Sequence, residues 1–232
     1  MRERTYTMPL LIPSAEFDAK LLRTESNHTH TEAFLAKGVD DYHVPGYQAP
    51  HGYRFVSNRA KDQFRLIALG EKPEAVYALK IIFRDDIAYG QKSCTQVMVW
   101  RTSKAGHSRV LSGLASLVFD HLLSEHIIMV SDDMQTSDGR RFWMSRMSEA
   151  LNAGYFVYMA DGTEETFPLH PITNDDQLYD SWCVDDVACT SRPWKGDIWG
   201  HDRDVHTQRF LVISKTQLSP QDIMVERRTD HV

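Results

Sequence analysis

The sequence predicts an α/β fold with a mixed, mostly antiparallel central sheet flanked by helices. Three observations carry this. The runs Phe64–Leu69, Ala75–Phe83 and Gln96–Arg101 are short and apolar, and turn-forming or polar residues separate them. Between residues 108 and 160 the pattern alternates between helical period and strand. A last strand, Phe210–Ser214, follows a long stretch of different character.

Taken in order, the first 60 residues read as an N-terminal extension. Ser14 is placed to cap a short helix through Leu22, with Phe17, Leu21 and Leu22 on one side. Thr31 is placed to cap another through Lys37, which Gly38 would end. From Asp40 to Tyr53, Pro45, Gly46, Pro50 and Gly52 make a loop, aromatic through Tyr42, His43, Tyr47, His51 and Tyr53. The cofactor-binding core is expected over 64–160. Gly70-Glu71-Lys72-Pro73-Glu74 is a hairpin loop between the first two strands, and Asp85–Lys92 reads as a polar connection. The strand Gln96–Arg101 is expected to pair with Ala75–Phe83.

A helix is then expected from Ser108, its N-cap, because Val110, Leu111, Leu114, Leu117, Val118 and Leu122 recur at three- and four-residue spacing. His126–Val130 is nearly all apolar, the mark of an interior strand. Asp138 can cap a helix over Arg140–Ala153, with Phe142, Trp143, Met147, Ala150 and Leu151 inward and Gly154 at the C′ position. Tyr155–Met159 is the next strand.

Residues 162–208 read as an acidic, tryptophan-bearing insertion or lid, through Trp182, Trp194 and Trp199 and eight aspartates from Asp175 to Asp204. Aspartates beside aromatics favour a cationic ligand, with a solubilising face around a few anchors as the alternative. Cys183, Cys189, His201 and His206 invite a zinc reading, but five residues lie between the cysteines, longer than the usual clip, and no metal is expected.

Composition bounds the function classes. With 232 residues the chain can bury one sizeable core, read here as a single domain. Its formal charge of −6 argues against nonspecific nucleic-acid binding. Three cysteines, Cys94, Cys183 and Cys189, without framework spacing suit a reducing compartment. The start, Met1-Arg2-Glu3-Arg4-Thr5, carries no apolar signal region, and no run is long enough for a membrane span. A cytoplasmic location is expected.

The chemistry concentrates where the strand ending in Val99-Trp100-Arg101 meets the helix. The turn Thr102-Ser103-Lys104-Ala105-Gly106-His107 places Arg101, Lys104, His107 and Arg109 around a helix start. Amide N–H groups at such a start donate to phosphate oxygens, and the dipole favours an anion by about 0.3–1 kcal/mol when exposed. An anion-binding site is therefore expected at Arg101, Lys104, Gly106, His107 and Ser108, with a solvated basic turn as the alternative.

The order hairpin, strand, turn, helix, strand, helix, strand, insertion, strand, from Phe64 to Ser214, resembles the GNAT superfamily of acyl-CoA-dependent N-acyltransferases. Members carry a turn Arg/Gln-x-x-Gly-x-Gly/Ala after the fourth strand. Arg101-Thr102-Ser103-Lys104-Ala105-Gly106 meets its first and last fixed positions, with Lys104 in place of the middle glycine. The resemblance implies acyl transfer from acetyl-CoA or another acyl-CoA to an amine on a small molecule or protein. The pyrophosphate would lie on the turn, and backbone N–H groups around Val99 and Trp100 would polarise the thioester. Relatives often use a glutamate base on the fourth strand. Cys94–Arg101 has none; Asp132 and Asp133 at the end of the next strand are the best substitutes, with a water-mediated base as the equal alternative. Relatives often take the proton donor from a tyrosine on the next helix. Arg140–Ala153 has none, and Tyr155 and Tyr158 follow it. Two alternatives share the fold: a binding protein that has lost catalysis, of the kind phages direct at host factors, and a phage-type enzyme that modifies DNA bases.

Overall fold

A computed structural model of the chain describes residues 17, 20–89, 92–131, 137–161, 169–182 and 209–219. The architecture is α/β with antiparallel sheets. The chain divides into two compact units. Pro13–Phe83 and Thr95–His126 form one; Arg84–Cys94 and Ile127–Val232 belong to the other.

The first unit holds helix α1 (Thr24–Ala36), strands β1 (Val39–Asp41), β2 (Tyr53–Asn58) and β3 (Gln63–Ala68), and residues 74–83 and 95–101 of strands β4 (Glu74–Tyr89) and β5 (Lys92–Arg101); the five strands are adjacent in that order. β1–β2, β2–β3 and β3–β4 are antiparallel. The expected hairpin is there, with β5 beside β4. Two expectations are corrected. The stretch read as extension and loop contributes β1 and β2 to the sheet. β4 also continues to Tyr89, through much of the expected polar connection. Strand composition is a weak guide where tertiary pairing decides.

α1 packs on one face of this sheet, where Phe34 meets Val56 and Ile67. Phe17, Lys20 and Leu21 are helical, in line with the expected short helix through Leu22, and α1 begins separately at Thr24, seven residues before the expected cap. Its buried stripe is Asn27, Thr31 and Phe34, at helical spacing. Thr31 does not cap: its hydroxyl donates to Asn27 Oδ1, 3.0 Å away. On other rows of the sheet the aromatic loop folds inward. Tyr42 lies against Phe55, Phe64 and His121, and Tyr47 against Phe55, which also meets Tyr77. Burial pushes the Tyr42 and Tyr47 hydroxyls up to about 12, helped by Glu125 and Tyr53 respectively.

After β5 come a 3-10 turn (Ala105–His107), α2 (Ser108–Leu111) and α3 (Leu114–Glu125). The single helix expected from Ser108 is thus broken. Gly113 takes the left-handed conformation, φ 71°, and starts α3 afresh. The buried residues Leu114, Val118, Leu122 and Leu123 keep the expected stripe.

The second unit is ordered β6-β9-β7-β8, all antiparallel: β6 (Ile127–Ser131), β7 (Phe156–Asp161), β8 (Leu169–Ile172) and β9 (Arg209–Ser214). Residues 127–130 and 211–213 are buried throughout, so both faces of these strands are covered, as the apolar runs imply. α4 (Ser137–Asn152) buries Trp143, Met147 and Ala150. It ends as its sequence requires. Gly154 has φ 75°, Gly154 N donates to Leu151 O and Tyr155 N to Ala150 O, the Schellman pattern.

The region 162–208 is not one long loop. β8 pairs with β7, and α5 (Asp175–Trp182) follows. Asn174 Oδ1 caps α5 by accepting from Gln177 N at 2.9 Å, and Asp175 and Asp176 sit in the first turn, where the dipole favours them. Leu178 anchors the helix, fully buried. Trp194, Trp199, Cys183, Cys189, His201 and His206 lie outside the described residues. Among the described residues no helix is long and apolar enough to cross a membrane.

Candidate functional site

The site is built from the first unit alone. β5 ends at Arg101, and Thr102 N donates to Val76 O at 2.9 Å, so the tie to β4 outlasts the strand by one residue. The chain then turns. Lys104 N donates to Thr102 Oγ1 at 3.3 Å, and His107 N to Lys104 O at 3.1 Å. Ser108 N and Oγ both reach Ala105 O. Ser108 therefore closes the 3-10 turn and does not cap a helix. Gly106 is exposed, has no positive φ, and a Cβ there would meet nothing within 4 Å.

Glu74, the first residue of β4, organises the turn. Lys104 Nζ donates to its Oε2 at 2.5 Å, and His107 Nε2 to its Oε1 at 2.9 Å. The other ring nitrogen of His107, Nδ1, lies 2.9 Å from the Tyr53 hydroxyl at the start of β2. The side chains of Glu74 and His107 are only 15% and 16% exposed, that of Lys104 42%. Burial alone would push the Glu74 carboxyl up. The hydrogen bonds from Lys104 and His107, together with the Lys104 charge, outweigh it and hold the carboxyl below the usual glutamate range.

α1 holds Glu74 in place from behind. Asn27 Nδ2 donates to Ala75 O (2.9 Å) and Leu21 O (3.0 Å), while Asn27 Oδ1 accepts from Ala75 N (2.8 Å). Thr31 Oγ1 accepts from the same amide at 3.1 Å, and His28 Nδ1 lies 2.9 Å from Pro73 O. Residues 73 to 75 are gripped by three side chains of one helix face.

Arg101, Lys104, Gly106, His107 and Ser108 are gathered at the turn. Arg101 and Arg109 are exposed and have no acidic partner among the described residues. Of the three permanent cations at the turn, Lys104 is the one paired with a carboxylate among the described residues. Val99 is half-buried on β5. Trp100 is a core residue, packed with Phe17, Leu21, Ala75 and Ala78. Asp132 and Asp133 lie outside the described residues. Tyr155 stacks under Lys215, and Tyr158 accepts from Leu218 N, both in the other unit. Sequence reasoning missed Glu74 and Tyr53. Glu74 appeared only as the end of a hairpin loop and Tyr53 as one of five loop aromatics.

Compared with known proteins, the chain matches no family model, no curated sequence and no solved structure.

Proposed function

We propose that the chain is an acyl-CoA-dependent N-acyltransferase of GNAT type, acting on an amine of a small molecule or protein. One observation carries this reading: two exposed arginines without an acidic partner among the described residues, Arg101 and Arg109, flank the exposed turn leaving β5, on which Lys104 is held by Glu74. Its place in the element order hairpin, strand, turn, helix, strand, helix, strand, strand–helix insertion, strand supports the same reading. The residues present fit a polyphosphate. Exposed arginines suit bidentate contact with phosphate oxygens, and the open space at Gly106 admits close approach to the backbone. The acyl-CoA would supply an activated thioester, which the amine attacks. Arg101, Lys104 and Arg109 would hold its phosphates, and Glu74 would keep Lys104 oriented while leaving both arginines unpaired. A base for the amine is sought at Asp132 or Asp133.

A thermal-shift titration tests this. Acetyl-CoA or free coenzyme A at about 100 times its Kd should stabilise the protein by about 2.7 kcal/mol. Gly106→Ala should leave the unliganded Tm unchanged, because the new methyl meets no atom, yet shrink the ligand shift. Arg101→Glu should abolish it. Absence of a shift with every acyl-CoA tried would remove the reading. The pairing of Lys104 and His107 by Glu74 favours a second reading, a binding protein on this fold without catalysis. A stable complex with a host protein, and no acyl-CoA shift, would support it. Salt-sensitive retention of DNA would instead favour base modification.

A further inference from the structure

Tyr53, His107 and Glu74 form a hydrogen-bonded line that acyl transfer directly between thioester and amine leaves without a task. The three come from the start of β2, the 3-10 turn and the start of β4. With His107 Nε2–H donating to Glu74, the neutral ring presents Nδ1 as an acceptor to the Tyr53 hydroxyl. Both links are 2.9 Å. This is the arrangement of an activated nucleophile: an acceptor within reach of the hydroxyl proton, and a carboxylate that fixes the ring and balances the imidazolium. Lys104 occupies the second carboxylate oxygen and keeps Glu74 from swinging away. The set lies at the surface end of the sheet, with Glu74, His107 and Tyr53 all partly exposed, so a small reactant can reach it.

We propose that Tyr53 is a nucleophile, with His107 as its general base and Glu74 as the residue that positions His107, and that it accepts an acyl group from a thioester. The Tyr53 oxygen bonds to the carbonyl carbon as its proton passes to His107 Nδ1. The carbon–sulfur bond then breaks, and the thiolate leaves with that proton. The products are an O-acyl-tyrosine and the free thiol. The identity of the acyl donor rests on the function proposed above; the activation of Tyr53 does not.

The test uses the full chain and two probes. With a small aryl sulfonyl fluoride, the Tyr53 oxygen should displace fluoride from sulfur. Peptide mass spectrometry reads the rate at each of the nine tyrosines. Tyr53 should label faster than Tyr179, which is 54% exposed. His107→Gln should slow Tyr53 labelling by about 100-fold, the low end of what a positioned base contributes. Glu74→Gln should slow it less, with circular dichroism reporting an intact fold in both. With acetyl-CoA, an acetyl group should appear on the Tyr53 peptide and be absent from Tyr53→Phe. Labelling of Tyr53 no faster than Tyr179, or unchanged in His107→Gln, overturns the activated tyrosine. That holds even if coenzyme A shifts Tm, and the acyltransferase reading then survives alone. Fast labelling with no coenzyme A shift keeps the nucleophile and discards acyl-CoA as donor. Fast labelling, a coenzyme A shift and no acetyl on Tyr53 overturn the acyl-tyrosine.

Discussion

Replacing Asn27 with alanine measures how firmly the candidate site is anchored. Asn27 is 3% exposed and takes part in four hydrogen bonds, with Leu21 O, Ala75 O, Ala75 N and Thr31 Oγ1. The substitution leaves the carbonyls of Leu21 and Ala75 without this donor. Ala75 N keeps Thr31 Oγ1 at 3.1 Å. A buried polar group stripped of its partner costs about 1–3 kcal/mol, and carbonyls sit toward the lower end because they hold two lone pairs. Two such groups, with the small void left by the amide, come to about 3 kcal/mol. For a chain of this length that lowers Tm by about 6–12 °C. Differential scanning calorimetry reads it directly. The matched control is Thr29→Ala, whose hydroxyl only meets Glu25 O on the exposed side of the same helix and whose loss should cost under about 0.5 kcal/mol. Ala75 directly follows Glu74, so the same variant should also slow sulfonyl fluoride labelling of Tyr53. If Asn27→Ala and Thr29→Ala shift Tm equally, α1 does not hold the start of β4 and the anchoring argument fails.

Three other outcomes follow from the same geometry. Glu74 has a depressed carboxyl pKa in the fold. Its stabilisation is therefore full above the ordinary glutamate range and drains away as pH falls through its folded value. The Tm gap between wild type and Glu74→Gln should narrow on acidification; a gap that widens would contradict the pairing with Lys104 and His107. Gly113→Ala should destabilise by about 1–2 kcal/mol in urea unfolding, because φ is 71° there and the cost is conformational, with no atom within 4 Å of the added methyl. An unchanged midpoint would mean α2 and α3 are not separated by a left-handed residue. Tyr158→Phe removes the acceptor for Leu218 N, 3.0 Å away and buried, and should cost about 1–3 kcal/mol. Retained stability would place Leu218 elsewhere.

Much of the architecture was legible because its signals are local. The apolar run of β6, the stripe Leu114, Val118 and Leu122, and the Gly154 stop each follow from a few neighbouring residues. α1 was misread for a physical reason. Two of the three residues on its buried stripe, Asn27 and Thr31, are polar and face backbone groups of β4, so no hydrophobic period marks the helix. The break at Gly113 was hidden inside an otherwise continuous apolar stripe.

From its order of residues alone the chain determined where the cations of the turn stand, between a strand and a helical segment, since that takes only the run from Val99 to Val110. Tertiary structure alone decided what meets them. Glu74 lies 33 residues before His107, and Tyr53 lies 54 before it. Both distances collapse to hydrogen bonds only because β2 and β4 enter the same sheet beside the turn. Such pairings depend on how separate strands register, and no local pattern in the sequence encodes that.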